Sequence, residues 1–132
     1  MKLERIPPTV GLNLSKVDKR NGEFIFWDVG GQNVLRKIWD KYFSECNGVI
    51  FVIDGCDSIR FEEVSETVER LYNRDNPNDL VTLPLLFLVN KKDSAEFRGL
   101  DHVRQQLKLN QVYCRKAIHV QAISAFKGEG IE

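Results

Sequence analysis

Residues 83–93 read LPLLFLVNKKD. Leu85 to Val89 is an unbroken apolar run closed by Pro84 on one side and a polar cluster on the other, a length that fits a strand better than a helix. A strand with one wet face alternates apolar and polar residues, so a run without alternation predicts cover on both faces, as in a parallel sheet. GVIFVID (48–54) has the same character, and AIHVQAIS (117–124) reads as a further strand. Between these runs, Phe61, Val64, Val68, Leu71 and Tyr72 recur at helical spacing, NPND (76–79) breaks the chain, and another helix is predicted near Leu100–Leu107. Buried strands alternating with amphipathic helices predict a parallel sheet joined by right-handed crossovers.

Upstream, GLNLSKV (11–17) and EFIFWDV (23–29) flank DKRNG (18–22), whose Asn21-Gly22 supplies turn chemistry, so the pair reads as an antiparallel hairpin. Val34, Leu35, Ile38, Trp39, Tyr42 and Phe43 then follow helical spacing, and KGEGIE (127–132) reads as the approach to one more helix. The fold class is therefore α/β, mostly parallel with one antiparallel hairpin strand, in a single domain spanning 1–132. In open parallel sheets ligands sit beyond the carboxyl ends of the strands. Those ends carry Asp28-Val29-Gly30-Gly31-Gln32, Asp54, Asn90-Lys91-Lys92-Asp93 and Ser124-Ala125, and all four are expected along one edge.

Composition narrows the partners. Nineteen acidic and nineteen basic residues leave a formal net charge of zero, so no global field draws the chain to nucleic acid or an anionic membrane. The three cysteines, Cys46, Cys56 and Cys114, are widely spaced and form no C-x-x-C pair, which argues against a disulfide framework or a zinc site and for a reducing, cytoplasmic setting. No apolar stretch is long enough to span a membrane, MKLER lacks a signal-peptide apolar region, and no glycine follows Met1, so no direct membrane anchor is expected in this chain.

Taken alone, NKKD reads as a solvated turn. DVGGQ, NKKD and SA together, in this order and at successive strand ends, resemble a small GTPase of the Ras superfamily. TVGLN, FWDVGGQ and IWDKYFSECNGVIFVID narrow the resemblance to the Arf group, nearest its Arf-related protein branch, over essentially the whole chain. The resemblance implies GTP/GDP and Mg²⁺ as cofactors and assigns residues to them. A carboxylate facing outward can accept two parallel hydrogen bonds from the N1 hydrogen and 2-amino group of guanine, which adenine does not offer; Asp93 would select the base in this way. Asn90 would tie neighbouring loops together, the stem of Lys91 would cover the base face, and the backbone of Ser124 and Ala125 would touch the guanine oxygen, while Lys92 has no assigned contact. Asp28 and Thr9 would hold Mg²⁺, Gly30 and Gly31 would let the chain approach the terminal phosphate without a side chain in the way, and Gln32 would orient the attacking water as the catalytic residue. Leu12, Trp27 and Tyr42 would form the effector surface, although Trp27 fits a core position nearly as well. Exchange factors and GTPase-activating factors are the further partners. Asp54 and Asp57 read as the end of a strand and the start of a turn.

The same resemblance exposes a gap. Small GTPases hold the diphosphate with G-x-x-x-x-G-K-[ST] at the end of the first strand, whereas only MKLERIPP precedes Thr9 here, and it contains no glycine. The expectation is an incomplete P-loop NTPase fold of the small-GTPase type, with the first strand, the first helix and the final helix missing. Such a chain is expected to be marginally stable, or to pair EFIFWDV directly with GVIFVID. Its expected role is an Arf-like GTP hydrolase switch in Golgi and trans-Golgi network vesicle and protein transport, impaired by the missing loop. The alternatives are a nucleotide-independent partner-binding module and an inactive truncated isoform.

Overall fold

The computed structural model describes residues 6–32, 36, 39–73, 75 and 79–131. The chain forms two compact units, one running through Ser44 and one from Glu45 onward.

The first unit is built on the hairpin. Strand β1 (Leu12–Lys19) pairs antiparallel with β2 (Gly22–Val29) in a register running from Leu12↔Val29 to Lys19↔Gly22. Gly22 leaves the turn at φ +141, a conformation that glycine adopts without penalty. The register puts Leu12, Leu14, Ile25 and Trp27 on one face and Val17, Phe24 and Phe26 on the other. Phe24 and Phe26 stack at 6.5 Å, and a Lys16–Glu23 ion pair of 2.9 Å closes the exposed tip. Of the helix predicted from Val34 onward, α1 (Asp40–Phe43) is present; Val34, Leu35 and Ile38 lie outside the described residues.

The second unit holds β3 (Val49–Asp54), α2 (Phe61–Leu71), β4 (Leu85–Asn90), α3 (Leu100–Gln106) and β5 (Ile118–Ala122), with the strands in parallel order β3-β4-β5. Asn76, Pro77 and Asn78 of the predicted break lie outside the described residues, and the segment after β5 forms turns. Asp54 is in register with Asn90, and Val89 with Ala122, so three of the four predicted strand ends share one edge. The fourth, Asp28–Gln32, ends β2. Within the units, β2 pairs with β1 and β3 pairs with β4.

The predicted cover on both faces of β3 and β4 is not what forms among the described residues. Leu85, Phe87 and Val89 are buried while Leu86 and Leu88 are only partly so, and Ile50 and Val52 are exposed. The reason is topological. Successive strands step across the sheet in one direction, and right-handed crossovers then place α2 and α3 on the same face. Phe61, Val68 and Leu71 of α2 and Val103 of α3 join Ile53, Phe87 and Val120 in that single core, where each buried apolar side chain stabilises by about 1.5–3 kcal/mol. Glu62 and Glu63 sit in the first turn of α2, where the helix dipole favours them.

Candidate functional site

In the first unit, the end of β2 is a corner tied to its surroundings by hydrogen bonds. Gly30 N–H donates to Gly11 O at 3.1 Å, which extends the hairpin ladder past Val29. Trp39 Nε1 donates to Gly30 O at 2.9 Å and Arg36 Nε to Gly31 O at 2.9 Å, so both glycine carbonyls are engaged by side chains that follow them in sequence. Gly31 and Gln32 are exposed. Thr9 Oγ1 donates to Asp28 Oδ2 at 3.2 Å, which brings the two predicted metal-side oxygens to one place. Among the described residues no group of three or more His, Cys, Asp or Glu side chains is placed to hold a metal ion. One carboxylate and one hydroxyl do not make a cage; they suit a Mg²⁺ that keeps waters and takes its remaining oxygens from a bound phosphate. Trp27 meets Tyr42 edge-on at 5.5 Å, and Leu12 lies on the same hairpin face as Trp27. Trp27 is half-buried, between the two readings that its sequence left open.

In the second unit, three loops leave the carboxyl edge and lock together. Ser124 is fully buried; its hydroxyl donates to Asp93 Oδ1 at 2.7 Å and accepts from Lys127 N–H at 3.1 Å. Asn90 Oδ1 accepts the Ala125 N–H at 3.0 Å, and Ser124 N–H donates to Glu129 O at 3.0 Å. The structure thus joins Asn90 to Ala125 and Asp93 to Ser124, while both backbone N–H groups of Ser124-Ala125 donate within the protein. Lys92, without an assignment from sequence, forms an ion pair with Glu129 at 3.7 Å. The chain reaches that position through Gly128 and Gly130, both at positive φ.

The β3 exit contributes more than a strand end and a turn. Lys91 Nζ lies 2.6 Å from Asp54 Oδ2, and the carboxylate holds the lysine pKa above its ordinary value. Asp54 Oδ1 accepts Cys56 N–H at 3.0 Å, Cys56 Sγ donates to Lys91 O at 3.6 Å, and Gly55 N–H donates to Asn90 O at 3.0 Å. Lys91 adopts φ 72, a left-handed conformation that costs a non-glycine residue about 1–2 kcal/mol. These contacts offset that cost. Sequence reading missed Asp54, Gly55, Cys56 and Glu129 as supports of this loop; the one available signal was that Asp54 ends a strand beside Asn90.

Comparison with known proteins identifies the family and the fold. The family model described as the ADP-ribosylation factor family matches residues 1–132. The chain is 37% identical over 134 residues to ADP-ribosylation factor-related protein 1 of Rattus norvegicus and 36% identical over 132 residues to that of Homo sapiens, each match covering 99% of this chain and 64% of the relative. It is 33% identical to ADP-ribosylation factor-like protein 3 of Saccharomyces cerevisiae, across 98% of this chain and 65% of that protein. The chain therefore spans just under two thirds of the length of these curated relatives. Among solved structures, the Arl6 BBS3 small GTPase from Trypanosoma brucei with bound nucleotide analogue GppNp superposes with a TM-score of 0.82 at 27% identity, covering 97% of this chain and 77% of that one. The chain carries the small-GTPase fold and belongs to the ADP-ribosylation factor family.

Proposed function

We propose that the chain is part of an Arf-like guanine-nucleotide switch. Asp93 reads the guanine edge, Lys91 covers the base, and Asn90, Ser124 and Ala125 brace the pocket. The observation that carries this reading is the Ser124–Asp93 hydrogen bond of 2.7 Å. It occupies one carboxylate oxygen, orients the carboxylate, and leaves its other acceptor positions for a base. On the corner, Gly30 and Gly31 approach the terminal phosphate, and Thr9 and Asp28 hold Mg²⁺, which neutralises phosphate charge when bound. Gln32, exposed on the loop, orients water for hydrolysis. Leu12, Trp27 and Tyr42 form the effector face, and exchange and GTPase-activating factors act on the same domain. Service in vesicle and protein transport at Golgi and trans-Golgi network membranes follows from the family resemblance. Among the described residues, no helix is long and apolar enough to cross a membrane.

The 132 residues contain no G-x-x-x-x-G-K-[ST] run. Each charge-assisted hydrogen bond of such a loop is worth about 1.5–3 kcal/mol, so by themselves these residues bind nucleotide at roughly millimolar affinity. Titration of the 132-residue chain with GDP and with ADP, followed by NMR, tests the reading. Saturable binding of GDP in preference to ADP supports it; equal response to the two overturns it. One further observation favours a nucleotide-independent partner-binding role or an inactive form for this chain. The Thr9 hydroxyl and the N–H groups of Gly30, Ser124 and Ala125 all donate to the protein's own acceptors. Partner capture unaffected by GDP or GTP is the outcome that reading expects.

A further inference from the structure

We propose that Asp54 is a positioning residue for the base-contacting loop: by holding the Lys91 ammonium it lays the lysine stem along the rim that also carries Asp93, where a flat base would rest. The inference depends on the nucleotide-binding reading above and adds a residue to it.

Lysine is an adaptable choice for covering a base, because its four-carbon stem rotates freely and its head is strongly hydrated. Here both ends of Lys91 are tied to one three-residue loop. Its ammonium lies 2.6 Å from Asp54 Oδ2, and its carbonyl accepts the Cys56 thiol at 3.6 Å. Asp54 in turn is kept from rotating, because its second oxygen accepts Cys56 N–H at 3.0 Å. The loop has no slack. Gly55 is buried, its N–H donates to Asn90 O at 3.0 Å, and a Cβ there would come within 2.8 Å of that same oxygen. A stem fixed at both ends is ordered before any ligand arrives, so the ordering cost of binding falls. The arrangement also predicts what Asp54 does not do. A stem presents methylenes to the flat face of a purine and cannot tell one purine edge from another, which is the task of Asp93.

The test is an NMR titration of the whole chain with GDP and with IDP, whose hypoxanthine base lacks the 2-amino group. Asp54→Asn keeps the size of the side chain and the acceptor for Cys56 N–H but removes the charge that holds Lys91. It is expected to weaken GDP and IDP by the same factor, up to about fivefold, the scale of a partly exposed ion pair. The GDP-to-IDP ratio stays at its wild-type value. In a Lys91→Met background, which keeps a straight apolar stem without an ammonium, Asp54→Asn has no further effect. Unchanged affinities in Asp54→Asn, a shifted GDP-to-IDP ratio, or an effect that persists in Lys91→Met overturns the role of Asp54 alone. A wild-type chain that binds neither nucleotide overturns the nucleotide-binding reading itself, and the role of Asp54 with it.

Discussion

Replacing Gly55 by alanine adds one methyl group to the most crowded glycine of the second unit. The new Cβ would lie 2.8 Å from Asn90 O, 2.8 Å from Val89 Cγ1 and 2.9 Å from Phe97 Cε2. Val89 can adjust only by leaving the core, where it is fully buried, and Asn90 O is main chain already bonded to Gly55 N–H at 3.0 Å. Overpacking of this sort costs about 1–3 kcal/mol, and the two obstructed directions put Gly55 in the upper half of that range. Alanine returns about 0.4–1 kcal/mol by restricting the unfolded chain, which leaves a net loss of roughly 1–2 kcal/mol. With a urea m-value of about 1–3 kcal/mol/M, the unfolding midpoint falls by about 0.3–2 M. Gly48→Ala is the matched control: it lies in the same unit, and its nearest contact would be Pro84 O at an ordinary 3.6 Å. Its stability should stay within about 0.5 kcal/mol of wild type. Urea melts followed by circular dichroism measure both, and equal midpoints for Gly55→Ala and Gly48→Ala would refute the claim that the β3 exit is packed against the Asn90 loop.

Ser124→Ala removes a fully buried hydroxyl that joins Asp93 to Lys127 N–H; it should cost about 1–3 kcal/mol, read as a lower melting temperature together with weaker GDP binding. Tyr72→Phe addresses pH. The Tyr72 hydroxyl is buried without a hydrogen-bond partner, and burial first, then Cys114 and Cys46, raise its pKa. The folded value lies above the unfolded value of about 10, so the unfolded chain loses this proton first. The contribution is intact below pH of about 10 and is lost as pH rises beyond it. Tyr72→Phe should therefore be at least as stable as wild type at neutral pH and show a shallower alkaline loss in urea melts repeated across that range; identical alkaline slopes would contradict the assignment.

The strands were legible because a buried segment cannot hide its apolar run, and the site was legible because Asp28, Asn90 and Ser124 each follow such a run. Local patterning also placed the hairpin, since the turn chemistry around Asn21-Gly22 follows a first strand that alternates with period two. What sequence could not show depends on residues far apart in the chain. Asp54 reaches Lys91 and Lys92 reaches Glu129 only because parallel strands stop level with one another. No spacing rule encodes those pairs. Ile50 and Val52 misled for a related reason: an apolar run states that a strand tolerates cover on both sides, and the direction in which successive strands are added decides which side α2 and α3 take.

The same order of addition bears on how the second unit comes into being. Because β3, β4 and β5 are neighbours in space in the order in which they are synthesised, every new strand emerging from a ribosome meets an edge that is already in place. Assembly can then proceed from β3 onward without waiting for a distant piece of chain, and the loops that grip Asp93 are completed last, when the turn after β5 closes over them.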